Sequence, residues 1–196
     1  MAVMERNEII KSAIIEAALP DVVFDGWTAE VLERGAVHAG YEAPMARAVF
    51  PRGTEDALIH FSHMADGWMM EKLAGTNKEE MRVRDRIALA VRARLQALEP
   101  HKEAERLAAA WWMRPLRKYR AAKLVWKTAD IIWIWAGDTA TDYNRYTKRA
   151  LLSGVLGSSL LFWLQEDDEA EVAAFIERRI ENIMALGKIA ARRKSA

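Results

Sequence analysis

Residues 26–61 read GWTAEVLERGAVHAGYEAPMARAVFPRGTEDALIHF. Gly26-Trp27 precedes Thr28, a helix-capping residue, and the helix it opens closes at Gly40. Pro44 suits the first turn of a second helix, where its missing N–H costs nothing, and Pro51-Arg52-Gly53 ends that helix at Phe50. From Thr54 a longer helix carries Leu58, Phe61, Ala65, Trp68, Met69 and Leu73 to Gly75, with Glu55 and Asp56 at its positive end. Upstream, Ile10, Ile14, Ala17 and Ala18 share one face of a helix from about Met4 to Leu19, expected to stop at Pro20-Asp21. Three short helices joined by tight turns therefore lead into a long one.

The helical pattern continues outward. Lys78–Leu98, His101–Trp112, Pro115 to about Ala136, Thr139 or Thr141 to Leu164, and Glu169 into the basic tail complete about nine helices with no strand. The expected class is all-α. Composition agrees: only five prolines and ten glycines stand among 196 residues. A hydrophobic share of 52% supplies a real core and excludes global disorder. With no cysteine, disulfide scaffolds, zinc ribbons, thiolate catalysis and iron–sulfur clusters are all excluded. The net charge of +1 gives no global pull toward DNA or an anionic membrane. Eight tryptophans are unusual, because this side chain favours pockets, interfaces and bilayer boundaries.

Glu5, Glu8 and Glu16 interrupt any signal-peptide core and do not suit a mitochondrial address. The longest apolar run, Leu151–Leu164, is 14 residues long, short of the roughly 20 that a spanning helix needs. These features predict a soluble bacterial cytoplasmic protein, peripheral at most on the inner face of the cytoplasmic membrane.

Residues 9–61 resemble the N-terminal helix-turn-helix unit of the TetR family, through IIxxAIxEA, Gly26-Trp27-Thr28, LERGAVHAG and VFPRGTEDALIHF. The expected organisation is a TetR-like helix-turn-helix unit over 1–52 and a helical lipid-binding and dimerisation region over 53–196. In that family the third helix enters the DNA major groove. Here residues 1–60 hold five bases against ten acids, a net −5 that leaves +6 for the remainder. The would-be recognition segment EAPMARAVF offers one arginine and one acid. A DNA reader is basic where it docks, so DNA is not an expected partner and the unit is read as a packing element.

The most specific stretch is Gly137–Arg149, GDTATDYNRYTKR. With Thr128-Ala129-Asp130, Phe24–Thr28 and Phe175-x-x-Arg178-Arg179-Ile180, it resembles the coenzyme Q biosynthesis protein Coq-nine family, from about Ile9 to Met184. The resemblance implies a non-enzymatic ubiquinone-biosynthesis factor with a TetR-like fold. It implies a homodimer that holds isoprenoid lipid among its C-terminal helices and works with the demethoxyubiquinone hydroxylase. It also implies a partner surface around Asp142, Asn144 and Tyr146, to which Asp138, Arg145 and Arg149 are added here. The family often has tryptophan where this chain has Arg145, so a flat anchor is exchanged for a long cation. Mitochondrial members carry a further C-terminal amphipathic helix for the membrane, whereas this chain stops soon after Met184.

Individual residues leave alternatives open. Asp138 and Asp142 are four apart, the spacing of an acid–base pair, of helix-start acids or of a docking surface. Thr139 with Asp142 resembles a capping box, and Asp142 can pair with Arg145 or Tyr146. His60, His63 and Asp66 share one helix face, which is at most part of a metal site; no metal is expected. Tyr119, Trp126 and Trp133 recur every seven residues, with Ala122, Ala129 and Ala136 interleaved, which suits helix packing or the wall of an apolar cavity. Gly154, Gly157 and Ser158 give close helix approach or room for a ligand tail. The expected lipid contacts are Trp68, Trp126, Trp133, Gly154, Ser158 and Phe162. Arg106–Ala129 holds seven bases and no acid, beside Trp111-Trp112. Such a run is either a solvated face or a membrane contact made by Trp111, Trp112, Arg117, Lys118, Arg120 and Lys123.

No catalytic residue and no cofactor is expected beyond a bound isoprenoid lipid or phospholipid. The predicted function is an accessory protein of ubiquinone biosynthesis that binds isoprenoid quinone intermediates or lipid and presents them to a ring hydroxylase. The alternative is a ligand-responsive TetR-type repressor.

Overall fold

A computed structural model describes residues 2–138 and 143–194, with the side chains of 5–138 and 145–183. The described residues form nine α-helices: α1 (Ala2–Asp25), α2 (Ala29–His38), α3 (Pro44–Val49), α4 (Thr54–Leu73), α5 (Val83–Leu98), α6 (Lys102–Trp112), α7 (Lys118–Trp135), α8 (Tyr143–Trp163) and α9 (Glu169–Lys194). Short 3-10 turns stand at Lys78–Glu80, Glu99–His101 and Pro115–Arg117. The all-α expectation holds. Among the described residues, no helix is long and apolar enough to cross a membrane.

Three expected boundaries move. α1 does not stop at Leu19 but runs through Pro20 to Asp25. Proline removes one backbone donor, a local loss, while Ile14, Ile15, Ala18, Leu19 and Val22 stay buried along one stripe. The stripe carries the helix past the proline to Gly26, whose N–H bonds Val22 O at 2.9 Å. Arg34 of α2 then ties down the last turn through Asp21 and Asp25. The helices expected to open at Lys78 and at Pro115 are instead preceded by 3-10 turns there, and α5 and α7 start only at Val83 and Lys118.

The chain forms two compact units, Met1–Trp68 with Leu98–Lys118, and Met69–Ala97 with Tyr119–Ala196. In the first, Thr28 caps α2 by accepting the Val31 N–H at 3.2 Å. Gly35 of α2 lies so close to α1 that a Cβ would stand 2.7 Å from both Ala18 Cβ and Ile14 O. Trp27 donates its indole N–H to Ala104 O at 2.9 Å and packs on Phe61 with ring centroids 5.1 Å apart. Trp68 continues that aromatic cluster, 6.2 Å from Phe61 and 5.1 Å from His101.

In the second unit, α8 packs on α9 with Phe162 stacked on Phe175 at 4.3 Å. Val172, Ile176 and Ile180 form the buried stripe of α9 at four-residue spacing. Leu152, Val155 and Leu156 supply that of α8.

Candidate functional site

The C-terminus of α7 is closed by a glycine turn. Gly137 takes φ +94° and its N–H bonds Ile134 O at 3.1 Å, while the Asp138 N–H bonds Trp133 O at 2.9 Å. This is the Schellman arrangement, and the positive φ explains why glycine stands there. Two cations complete the cap. Lys78 donates to Trp135 O at 3.0 Å, and Arg86 donates to Ala136 O at 2.9 Å. Positive charge at a helix C-terminus complements its dipole.

The turn delivers Asp138 into a part-buried ion cluster between α7 and α8. Asp138 pairs with Lys148 at 2.6 Å and with Arg149 at 2.9 Å. Arg149 also donates to Asp130 and, at 3.2 Å, to Arg145 O. Arg145 reaches Asp130 at 3.3 Å. The side chains of Arg149 and Asp138 are 3% and 4% exposed. The neighbouring carboxylates hold the Arg149 guanidinium above its ordinary pKa, against an opposing effect of burial. Trp133 joins the same corner, donating its indole N–H to Lys148 O at 3.1 Å.

Around this cluster the surface is mixed. Tyr146 is 62% exposed, with its ring 6.3 Å from that of Trp126. Arg145 is half-buried beside it in sequence. Of the residues read as partner-binding, Asp138 and Arg149 thus turn inward and brace the corner, while Arg145 and Tyr146 reach solvent. Asp142 and the Asn144 side chain lie outside the described residues, as does the capping box proposed at Thr139 and Asp142.

The six residues read as lipid contacts fall in both units. Trp68 belongs to the first, within the aromatic cluster of Trp27, Phe61 and His101. Trp126, Trp133, Gly154, Ser158 and Phe162 belong to the second. There Trp133 is buried, Gly154 is exposed, and Ser158 donates to Val155 O at 3.1 Å within its own helix. The first unit also holds a cleft of about 330 Å³ lined by Glu16, Leu19, Pro20, Val23 and His101 among others. None of its residues was singled out from sequence for binding. Two carboxylates, Glu16 and Glu103, stand in its wall.

Of the basic run, Trp111 and Trp112 form an edge-to-face pair at 4.7 Å, both half-buried. Arg117 lies 3.6 Å over the Trp111 ring, and Lys118 is exposed. In the second unit, Arg120 is exposed and Lys123 sits 4.7 Å over the Tyr119 ring.

The sequence reading missed one constellation. Ser12 Oγ lies 2.9 Å from His60 Nε2, and Glu8 Oε2 lies 3.3 Å from His60 Nδ1. Hydroxyl, imidazole and carboxylate stand in the order that nucleophilic sites use. Ser12 is in mid-helix, however, where backbone N–H groups are committed to helix bonds and offer no oxyanion donors. The relay ties α1 to α4. The spacing of Glu8 and Ser12 on one helix face was the available signal, but their partner is 48 residues beyond Ser12. Among the described residues, no three His, Asp or Glu side chains are arranged to hold a metal ion.

The COQ9 family model matches residues 119–187. That span runs from the start of α7 well into α9 and includes the whole ion cluster. The chain is also 30% identical over 200 residues to the ubiquinone biosynthesis protein COQ9, mitochondrial, of Homo sapiens, covering 97% of this chain and 63% of that protein. The Rattus norvegicus protein of the same name gives 30%, 97% and 64%, and that of Drosophila melanogaster 28%, 91% and 56%. The resemblance to the Coq-nine family read from Gly137–Arg149 is borne out. The chain spans less than two thirds of the length of these relatives.

A solved TetR transcriptional regulator from Nitrosomonas europaea ATCC 19718 superposes with a TM-score of 0.69 at 15% identity, covering 87% of this chain and 95% of that one. The TetR-like fold is borne out with it; at that identity the likeness speaks for the fold alone. One expectation is overturned. The relatives are named mitochondrial, against the bacterial cytoplasmic placement at the inner face of the cytoplasmic membrane. That placement rested on finding no address in the first twenty residues. In a chain shorter than its relatives, those residues are no guide to compartment.

Proposed function

We propose that this chain is an accessory protein of ubiquinone biosynthesis, without catalytic groups of its own, that binds isoprenoid quinone intermediates or lipid and presents them to a ring hydroxylase. The observation that carries the proposal is the COQ9 match over 119–187, the span that builds the α7–α8 corner. The names of the relatives supply the pathway. In this reading Arg145 and Tyr146 meet the hydroxylase, with Asp142 and Asn144 adjacent in sequence, while Asp130, Asp138 and Arg149 hold α8 in register. Trp126, Trp133 and Phe162 supply apolar surface for a tail that has no charge to be recognised by. A homodimer through α8 and α9 is part of the same reading.

The test is solvent extraction of the purified protein followed by mass spectrometry, against a matched control protein. A polyprenyl quinone or phospholipid at near-stoichiometric amount is expected. A clean extract, repeated after mixing with native membranes, would remove the lipid role. For the docking role, Arg145→Glu with Tyr146→Ala should abolish capture of the hydroxylase while leaving the extracted lipid unchanged.

The TetR-like superposition favours one second reading, a ligand-responsive repressor. The local electrostatics weigh against it. Arg34, Arg47 and Arg52 are each paired with carboxylates of the same unit, and Lys11 with Glu8. Four of the five bases in residues 1–60 are thereby neutralised before any phosphate arrives. A salt-dependent shift of labelled duplex DNA would revive the repressor.

A further inference from the structure

Between α6 and α7 the chain makes an elbow, Trp111–Lys118, that lies wholly within the first unit. Its 3-10 turn at Pro115–Arg117 presents Leu116 at 97% exposure, and Met113 beside it is 56% exposed. An exposed leucine alone means little, but two apolar tips flanked by Arg114, Arg117 and Lys118 form a chemically distinct surface. The elbow is also braced. Arg117 stacks on Trp111 and donates toward Trp111 O at 3.4 Å, and Trp112 packs edge-on against Trp111. The tryptophans that sequence placed at the surface are thus half-buried supports, and the tips are Met113 and Leu116. The whole stretch Arg106–Ala129 carries no acid.

We infer that the Trp111–Lys118 elbow inserts into an anionic lipid surface, with Leu116 and Met113 entering the acyl boundary and Arg114, Arg117 and Lys118 meeting headgroup phosphates. Charge complementarity selects this occupant. A protein groove would accept the apolar tips but gives no reason for three cations in a stretch without an acid, whereas a phosphate-bearing interface wants both. The cations add electrostatic attraction within a Debye length of the surface, and the tips add the apolar burial that holds the protein there. The inference goes beyond the cargo role proposed above and stands if that role falls.

The chain has no cysteine, so a Leu116→Cys variant accepts one polarity-sensitive dye at the tip, and Glu30→Cys on α2 provides a control. Each labelled protein is mixed with phosphatidylcholine vesicles, with and without added cardiolipin. The expected result is a blue shift at position 116, on the cardiolipin vesicles alone, and none at position 30. In sedimentation with the same vesicles, Arg114→Gln with Lys118→Gln should lower binding about fivefold per charge removed, and Leu116→Asp about tenfold. All three side chains are exposed, and unchanged circular dichroism would verify that the variants fold. Equal binding to neutral vesicles, or binding indifferent to these variants, would overturn the inference. So would binding of duplex DNA through the same residues without vesicle binding. Lipid extraction from the same variants separates the two ideas: a clean extract with intact vesicle binding sinks the cargo role alone.

Discussion

Arg149 is the side chain on which the α7–α8 corner turns. Its guanidinium joins Asp130, Asp138 and the Arg145 carbonyl, so one planar fork reads three acceptors, on α7, on the turn that closes it and on α8. Arg149→Met would strip buried Asp138 of one of the two cations it pairs with among the described residues, leaving Lys148. Breaking such a pair costs about 3–5 kcal/mol. Urea denaturation should show a loss of that order, and Arg149→Lys should recover part of it, having charge without the fork. If Arg149→Met were as stable as the parent chain, the carboxylates would have to be solvated and the cluster ornamental. Sequence alone pointed to these residues as a motif and placed Asp138, Arg145 and Arg149 on the partner surface. Side-chain direction around a helix corner depends on the turn at Gly137, which spacing along the chain does not encode.

At the scale of elements, α1 and α2 approach closely at Gly35. A methyl group there would meet Ala18 Cβ and the Ile14 carbonyl at 2.7 Å, and the carbonyl, being helix backbone, cannot swing aside. Gly35→Ala should therefore destabilise by about 1–3 kcal/mol although alanine is the better helix former. A melting temperature equal to or above the parent's would show that the two helices have room to separate. The helices themselves were legible from capping residues and glycines: Thr28, Gly40 and Thr54 mark ends that the structure keeps. Pro20 misled because a stop signal was weighed without the stripe behind it, and Val22, two residues further on, is fully buried. The relay through Ser12, His60 and Glu8 was illegible for a different reason. Its members come from α1 and α4, and only tertiary packing brings them together.

At the scale of the whole molecule, charge and burial set how stability responds to acid. Burial holds His60 below the ordinary histidine range, against the pull of Glu8 and with Lys11 and His63 adding to the shift. Burial likewise lowers His101, opposed by Glu16. In the unfolded chain both titrate near about 6.5, so below that pH the unfolded state holds more protons than the folded one. Stability is then full above about 6.5 and falls as the pH drops through that value toward the lower folded pKa. Glu8, lowered chiefly by its bond to Lys11, adds a loss of the same sign at more acidic pH. A melting temperature that declines between about pH 7.5 and pH 5 is expected, with a shallower decline in His60→Gln. A flat profile would mean that His60 and His101 are as hydrated as in the unfolded chain. The aromatic cluster of the first unit gives the same titration an optical readout. The His101 imidazole lies 5.1 Å from the Trp68 indole, and a protonated imidazole quenches indole emission. The difference in fluorescence between the parent chain and Trp68→Phe should brighten as His101 loses its proton, so the protein carries its own dye for the chemical state of one half-buried ring.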